Sequence, residues 1–337
     1  MRRSALALLG VLALPATAAA QTPPAPTPTP PPAVPTPAPP PAATAKLSVS
    51  SQGGLTKSAA LAGRAFTARV VMKPYVANEG AVLRVYRTSP THRLKKIKAK
   101  TLTFKPVAGG ASGVAEFKIS SKSSGTVTLK ASHRATPGLA TAVAKPVKVS
   151  VVNAYAGPGS KGPQVRWLQN KLASLHYVTS RSGVYDSATG RAIMAWRKVA
   201  GYSRTYTATA DVYAGMLKGR GVFKVRHPKD GRHVEARLNQ QVLALINGSK
   251  VERIYHTSSG KPSTPTIQGK FRVYMKTPGT NAKGMVDSNY FIRGYAIHGY
   301  ADVPAYNASH GCLRVPVPNA RSIYDWLRIG DVVWVEG

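Results

Sequence analysis

One cysteine, Cys312, stands in 337 residues, and twelve acidic side chains face 47 basic ones. A lone thiol cannot close an intrachain disulfide, which excludes a disulfide scaffold. Structural zinc sites mostly need a second cysteine, and His310 and Cys312 at i, i+2 match none of the usual ligand spacings. Long apolar runs are missing too. The run Ala5–Leu14 stops at Pro15, short of the roughly 20 residues that cross a bilayer, and no later segment is longer and equally apolar. Apolar residues still make up 43% of the chain, enough for ordinary cores, so global disorder is excluded.

What is present begins with the company of that cysteine. The stretch Ala296–Pro316, AIHGYADVPAYNASHGCLRVP, places His298 fourteen positions before Cys312, His310 two before it and Arg314 two after. Imidazole or positive charge near a thiol favours thiolate, the form that attacks carbonyl carbon. Gly311 removes a side chain where the backbone must turn, and its N–H with that of Cys312 is a candidate pair of oxyanion donors. His298 is too distant for contact within one element, and a strand end meeting a returning loop would bring it to the thiol as a Cys–His pair. The competing reading of a lone cysteine is a small buried hydrophobe.

Along the chain, Met1-Arg2-Arg3, the run Ala5–Leu14 and Ala18-Ala19-Ala20 form the pattern of a secretory signal peptide over 1–20, with cleavage expected after Ala20. Residues 21–44 are Pro, Ala and Thr without charge and predict an extended polyproline linker that buries no core. Residues 45–153 change to short alternating runs rich in Val, Thr and Lys: Leu47–Ser51, Ala65–Lys73, Ala81–Arg87, Leu94–Thr103, Gly113–Ile119, Gly125–Ser132 and Ala142–Val152. Seven such runs without a cysteine pair predict an immunoglobulin-like β-sandwich lacking its disulfide.

Residues 154–228 switch to helical spacing. Val165, Leu168, Leu172 and Leu175 form one stripe, and Ala192, Ile193, Trp196 and Val199 a second, with Asp186 as its cap and Ala210–Lys218 as a third helix. Residues 229–337 read as mostly β: His233–Leu238, Gln241–Ile246 and Ser249–Ser258 around an Asn247-Gly248 hairpin, then Lys270–Lys276 and Tyr290–His298. One helix, Pro318–Arg328, stops at Gly330, and Asp331–Glu336 closes the region.

The net charge of +35 divides as +2 before residue 45, +17 over 45–153, +10 over 154–228 and +6 over 229–337. Such a field gathers polyanions and is screened by salt. A net charge of this size usually suggests nucleic acid. The export pattern redirects the expectation to anionic polymers and lipid head groups outside the cytoplasm, with no specific nucleic-acid partner.

The string His298-Gly299 followed by Ser309-His310-Gly311-Cys312-Leu313-Arg314 resembles the signature of the L,D-transpeptidase (YkuD-type) catalytic domain, with STPTIQGKFRV and GYAIHG agreeing upstream. VRWLQNKLASLHY and GVYDSATGRAIMAWRKVAGY are similar to the small three-helix peptidoglycan-binding module. The fold expected is therefore multidomain and mainly β: sandwich, helical bundle and catalytic domain with one C-terminal helix. The resemblance implies a secreted cell-wall enzyme without cofactor, whose partners are peptidoglycan stem peptides and glycan. It implies Cys312 as nucleophile and His298 as base, with the Gly299 carbonyl orienting the ring. Ser309 and His310 would support the turn and its charge, the Gly311 and Cys312 N–H groups would hold the oxyanion, and Arg314 would fix the loop or meet a stem carboxylate. An L,D-carboxypeptidase and a non-catalytic wall-binding protein are the alternatives. Ten residues between His298 and Ser309 make a shorter connection than many relatives carry, so lid contacts do not transfer.

Overall fold

The computed structural model describes residues 37–49, 54–88 and 93–337. The expected signal peptide and the expected linker as far as residue 36 lie outside the described residues.

Alternation builds the first region. In Ala65–Lys73 (β4) Phe66, Ala68, Val70 and Met72 point inward while Ala65, Arg69 and Lys73 stay exposed. β4 pairs with Thr44–Val49 (β1) and Gly113–Ser120 (β8), and Lys105–Pro106 (β7) extends β8. The facing sheet runs Gly54–Thr56 (β2), Ala59–Leu61 (β3), Val147–Val152 (β11), Gly125–His133 (β9), Gly80–Thr88 (β5) and Leu94–Thr103 (β6), with Ala142–Val143 (β10) on β9. Leu83, Val85, Val127, Leu129 and Val149 meet the β4 row to form the core between the sheets.

Two expectations change here. The run Ala142–Val152 is two strands, because Pro146 has no N–H to give a ladder. β2 and β3 had no sequence signal: three-residue strands of small side chains show no period, yet β3 pairs in parallel with β11.

Pro163–Ser174 (α1), Ser187–Ala200 (α2) and Ala210–Leu217 (α3) follow. Asp186 caps α2, its carboxylate accepting from Thr189 N at 2.8 Å, and Gly201 ends it in the left-handed conformation. Val165, Leu168, Leu172, Ile193 and Trp196 bury as the stripes require. Their core is shared, taking in Leu55 and Leu61 from β2 and β3 on one side and Val242, Ala244, Ile246 and Ile254 on the other.

Those last residues belong to Val242–Asn247 (β13) and Lys250–His256 (β14), joined by the expected turn. With Arg232–Arg237 (β12), Gly269–Arg272 (β15) and Val332–Glu336 (β20) they make a five-stranded sheet ordered β14-β13-β12-β20-β15. Met275–Thr280 (β16), Val286–Ile292 (β17), Tyr295–Tyr300 (β18) and Leu313–Pro316 (β19) make a second, and Val317–Trp326 (α4) packs on β17 and β18. Leu243, Leu245, Ile297, Leu313, Val315, Ile323 and Val333 fill the space between the sheets. The single strand expected over Tyr290–His298 is a hairpin, turned at Arg293 with φ 47°, and Lys270–Lys276 divides between β15 and β16.

Candidate active site

β18 and β19 are parallel neighbours, with Ile297 opposite Leu313 and His298 opposite Arg314. Side chains alternate along a strand, so Ile297 and Leu313 enter the core while His298 and Arg314 share the other face. Cys312 directly precedes β19, two residues before Arg314, which places it diagonally across from His298. The hairpin and the parallel pairing together join residues fourteen positions apart in sequence.

His298 is 3% exposed. Its Nδ1 lies 2.9 Å from the Gly299 carbonyl, which can only accept, so Nδ1 carries the proton and Nε2 the lone pair. Burial pushes the imidazole down to about 4; the Gly299 bond resists, and the charge of Arg314 adds to the fall. The ring is therefore neutral at pH 7. The ring of Tyr300 meets it edge on at 5.7 Å. At Gly299 a Cβ would come within 2.7 Å of the Ala320 Cβ, so the glycine lets α4 close on the strand that carries the histidine.

The Cys312 thiol is half-buried, and burial raises its pKa. A backbone hydrogen bond at Ala296 and the charges of Arg314 and Lys283 oppose that rise without cancelling it. Its Sγ lies 3.6 Å from the Gly294 carbonyl, within reach of a weak S–H donation. A thiol in this setting holds its proton at neutral pH until a base takes it.

Ser309 clamps the turn that presents the thiol: its hydroxyl donates to the Cys312 carbonyl at 2.6 Å and accepts from Gly311 N at 3.1 Å. This corrects the expectation for Gly311. Its amide is already engaged, whereas the Cys312 N–H has no partner among the described residues. What demands glycine is a φ of 115° and the Tyr295 ring, which occupies the position a Cβ would take.

His310 is exposed and its Nε2 lies 3.4 Å from Lys261 Nζ. Arg314 lies over the Tyr300 ring at 4.1 Å and reaches Asp302, with its carbonyl at 3.5 Å and its carboxylate at 3.8 Å. At 11% exposure its contacts are with the 300–302 segment.

Residues with no signal in the motif hold this site from behind. Ser258 and Arg314 exchange two backbone bonds of 3.0 Å, and Thr257 Oγ1 donates to the Arg314 carbonyl at 2.6 Å. The Ser259 carbonyl accepts from Ala308 N and Ser309 N at 2.9 Å each. The Gln241 amide grips Ser259 twice, accepting from its N at 2.8 Å and donating to its Oγ at 2.6 Å.

Residues 231–335 match the family described as L,D-transpeptidase catalytic domain, YkuD, and residues 161–207 match a peptidoglycan binding domain. An L,D-transpeptidase structure (residues 123–326) from Xylanimonas cellulosilytica is 32% identical, covering 55% of this chain and 98% of its own at a TM-score of 0.51. An L,D-transpeptidase from Stackebrandtia nassauensis is 22% identical over 54% of this chain and 95% of its own, with a TM-score of 0.35. No curated protein matches the chain. The chain belongs to the L,D-transpeptidase family and joins its YkuD catalytic domain to a peptidoglycan-binding domain.

Proposed function

We propose that the protein is an exported cell-wall L,D-transpeptidase that cross-links stem peptides through a thioester on Cys312. The observation that carries this reading is a neutral His298 with its Nε2 lone pair uncommitted, on the same face as a thiol that keeps its proton. A base of low pKa beside a thiol of raised pKa favours proton removal during attack over a standing thiolate.

In the first step the Cys312 sulfur bonds to the carbonyl carbon of the diamino residue at position three of a tetrapeptide stem, and the thiol proton passes to His298 Nε2. The carbon–nitrogen bond to the terminal D-Ala breaks, and His298 returns the proton to the leaving amine. In the second step a side-chain amine of a neighbouring stem attacks the thioester, gives its proton to His298, and the sulfur leaves as the restored thiol. The Cys312 N–H is the oxyanion donor we assign, Ser309 and Gly311 hold its turn, and Arg314 braces the loop through Tyr300 and Asp302. The binding domain holds the enzyme on peptidoglycan, the 1–20 segment directs export, and the basic sandwich adds attraction to anionic wall polymers.

Mass spectrometry of muropeptides incubated with the full chain tests this. Cross-linked dimers are expected with the wild type and none with Cys312→Ser. Shortened stems alone would assign an L,D-carboxypeptidase, with water as acceptor, and dimers from the mutant would overturn the thioester.

A further inference from the structure

Lys198 lies on α2, in the helical domain, yet every hydrogen bond of its ammonium is made to the catalytic domain. Its side chain is 4% exposed, and Nζ lies 3.0 Å from the Gln241 carbonyl, 3.0 Å from the Thr257 carbonyl and 2.7 Å from His256 Nδ1. His256 Nε2 sits 2.9 Å from the Val303 carbonyl, so Nε2 bears the proton and Nδ1 accepts from the lysine. The three acceptors match the three protons of an ammonium.

No carboxylate among the described residues pairs with this lysine. The charged and titratable groups around it are His256, Tyr206, Arg191 and Arg204. Burial, then Arg204, lowers its pKa, while the three acceptors at hydrogen-bond distance favour the charged form. A buried cation facing only neutral acceptors and other cations is a poor way to stabilise a domain junction, since an apolar side chain of similar length avoids the desolvation cost.

What distinguishes its three acceptors is where they lead. Thr257 donates to the Arg314 carbonyl, two residues from Cys312. Gln241 holds Ser259, whose carbonyl accepts from Ser309 N at the start of the thiol turn. Val303 lies in the segment that connects His298 to Ser309. One amino group thus ties both backings of the turn and the connecting loop to a helix of the other domain.

We infer that Lys198 is a positioning residue for acyl transfer: the helical domain, through this one side chain, sets the geometry of the Ser309–Cys312 turn. The domain then acts in catalysis as well as in wall binding. This rests on the reading of Cys312 as nucleophile.

The test uses the full chain with purified disaccharide-tetrapeptide muropeptides. Wild type must first give dimers; if it does not, the function proposed above fails, and the role of Lys198 with it. With an active wild type, Lys198→Met should lower kcat by on the order of 10–10²-fold with KM within about two-fold, the signature of misplaced reacting groups. Pull-down on insoluble wall should be unchanged, and amide exchange at Ser309 and Gly311 should quicken. Ile193→Val, a core change on the same helix, should leave kcat near wild type. A Lys198→Met enzyme with wild-type kcat, or an equal loss in Ile193→Val, overturns the inference. If Lys198→Met does not fold, Thr257→Val decides, since it cuts one arm and leaves the lysine in place. A fall in kcat of about three-fold or more at constant KM supports positioning, and wild-type kcat refutes it.

Discussion

At the scale of single residues, the two histidines beside Cys312 occupy opposite environments. His298 is buried, with Nδ1 tied to a carbonyl and its charge suppressed, while His310 is exposed and lies 3.4 Å from Lys261 Nζ. Acylation of Cys312 by a carbapenem, followed by intact mass, should therefore slow by roughly 10²–10⁴-fold in His298→Ala and far less in His310→Ala. The pH dependence has a sign fixed by the same environment. The base works when neutral, and a pKa near 4 leaves it neutral above about pH 5, so the rate should hold steady from pH 7 to 5 and fall as pH drops through 4. An acid limb well above pH 5 would take the base away from His298. Cys312, His298 and the turn residues were legible because they share one short stretch. Gln241, Tyr295, Thr257 and Lys198 were not, because their roles arise only when strands distant in sequence are paired.

At the scale of elements, β12 shows how the connector after α3 is fixed to the sheet. Glu235, at its centre, is fully buried and accepts from Arg226 N at 2.7 Å and His227 N at 2.8 Å, while Arg237 bonds its other oxygen. Burial alone would raise this carboxyl; the His233 ring 3.5 Å away, the Arg237 bond and the two amides outweigh it and bring it down to about 2. A depressed carboxylate stabilises the fold above its ordinary pKa, and that contribution drains as pH falls from about 4.5 to 2. Glu235→Gln should cost about 3 kcal/mol at pH 7 by denaturant melting, with the gap to wild type narrowing by pH 3. A gap unchanged between the two pH values would mean that shape, and not charge, is what the site needs. Strand positions were largely readable here from alternation. The turns inside Tyr290–His298 and Lys270–Lys276 were not, since Arg293 adopts a positive φ that its residue type does not announce.

At the scale of the whole molecule, one core joins β2 and β3, the three helices and β13 with β14, so from Pro40 to Gly337 the chain packs as a unit. The composition boundaries seen in the sequence mark changes of secondary structure, and buried surface continues across them. Charge is distributed differently: of the +35, +17 lies in residues 45–153, remote in sequence from Cys312. β6 concentrates part of it at a sheet edge, where Lys95, Lys96, Lys98 and Lys100 are exposed and Lys98 and Lys100 reach over the Phe117 ring at 4.9 and 5.0 Å. Lysines on an edge also discourage strand pairing between molecules, so their presence alone does not require a ligand. Salt separates the two roles, because attraction between exposed charges is screened within about 10 Å at ~0.1 M while glycan contacts through hydrogen bonds are not. Pull-down of the full chain on insoluble wall should weaken steeply between ~0.05 and ~0.5 M salt, and replacing the four lysines by serine should make that dependence measurably shallower. Binding that stays flat across the range would assign wall recognition to the peptidoglycan-binding domain alone and leave β6 its edge-protecting role.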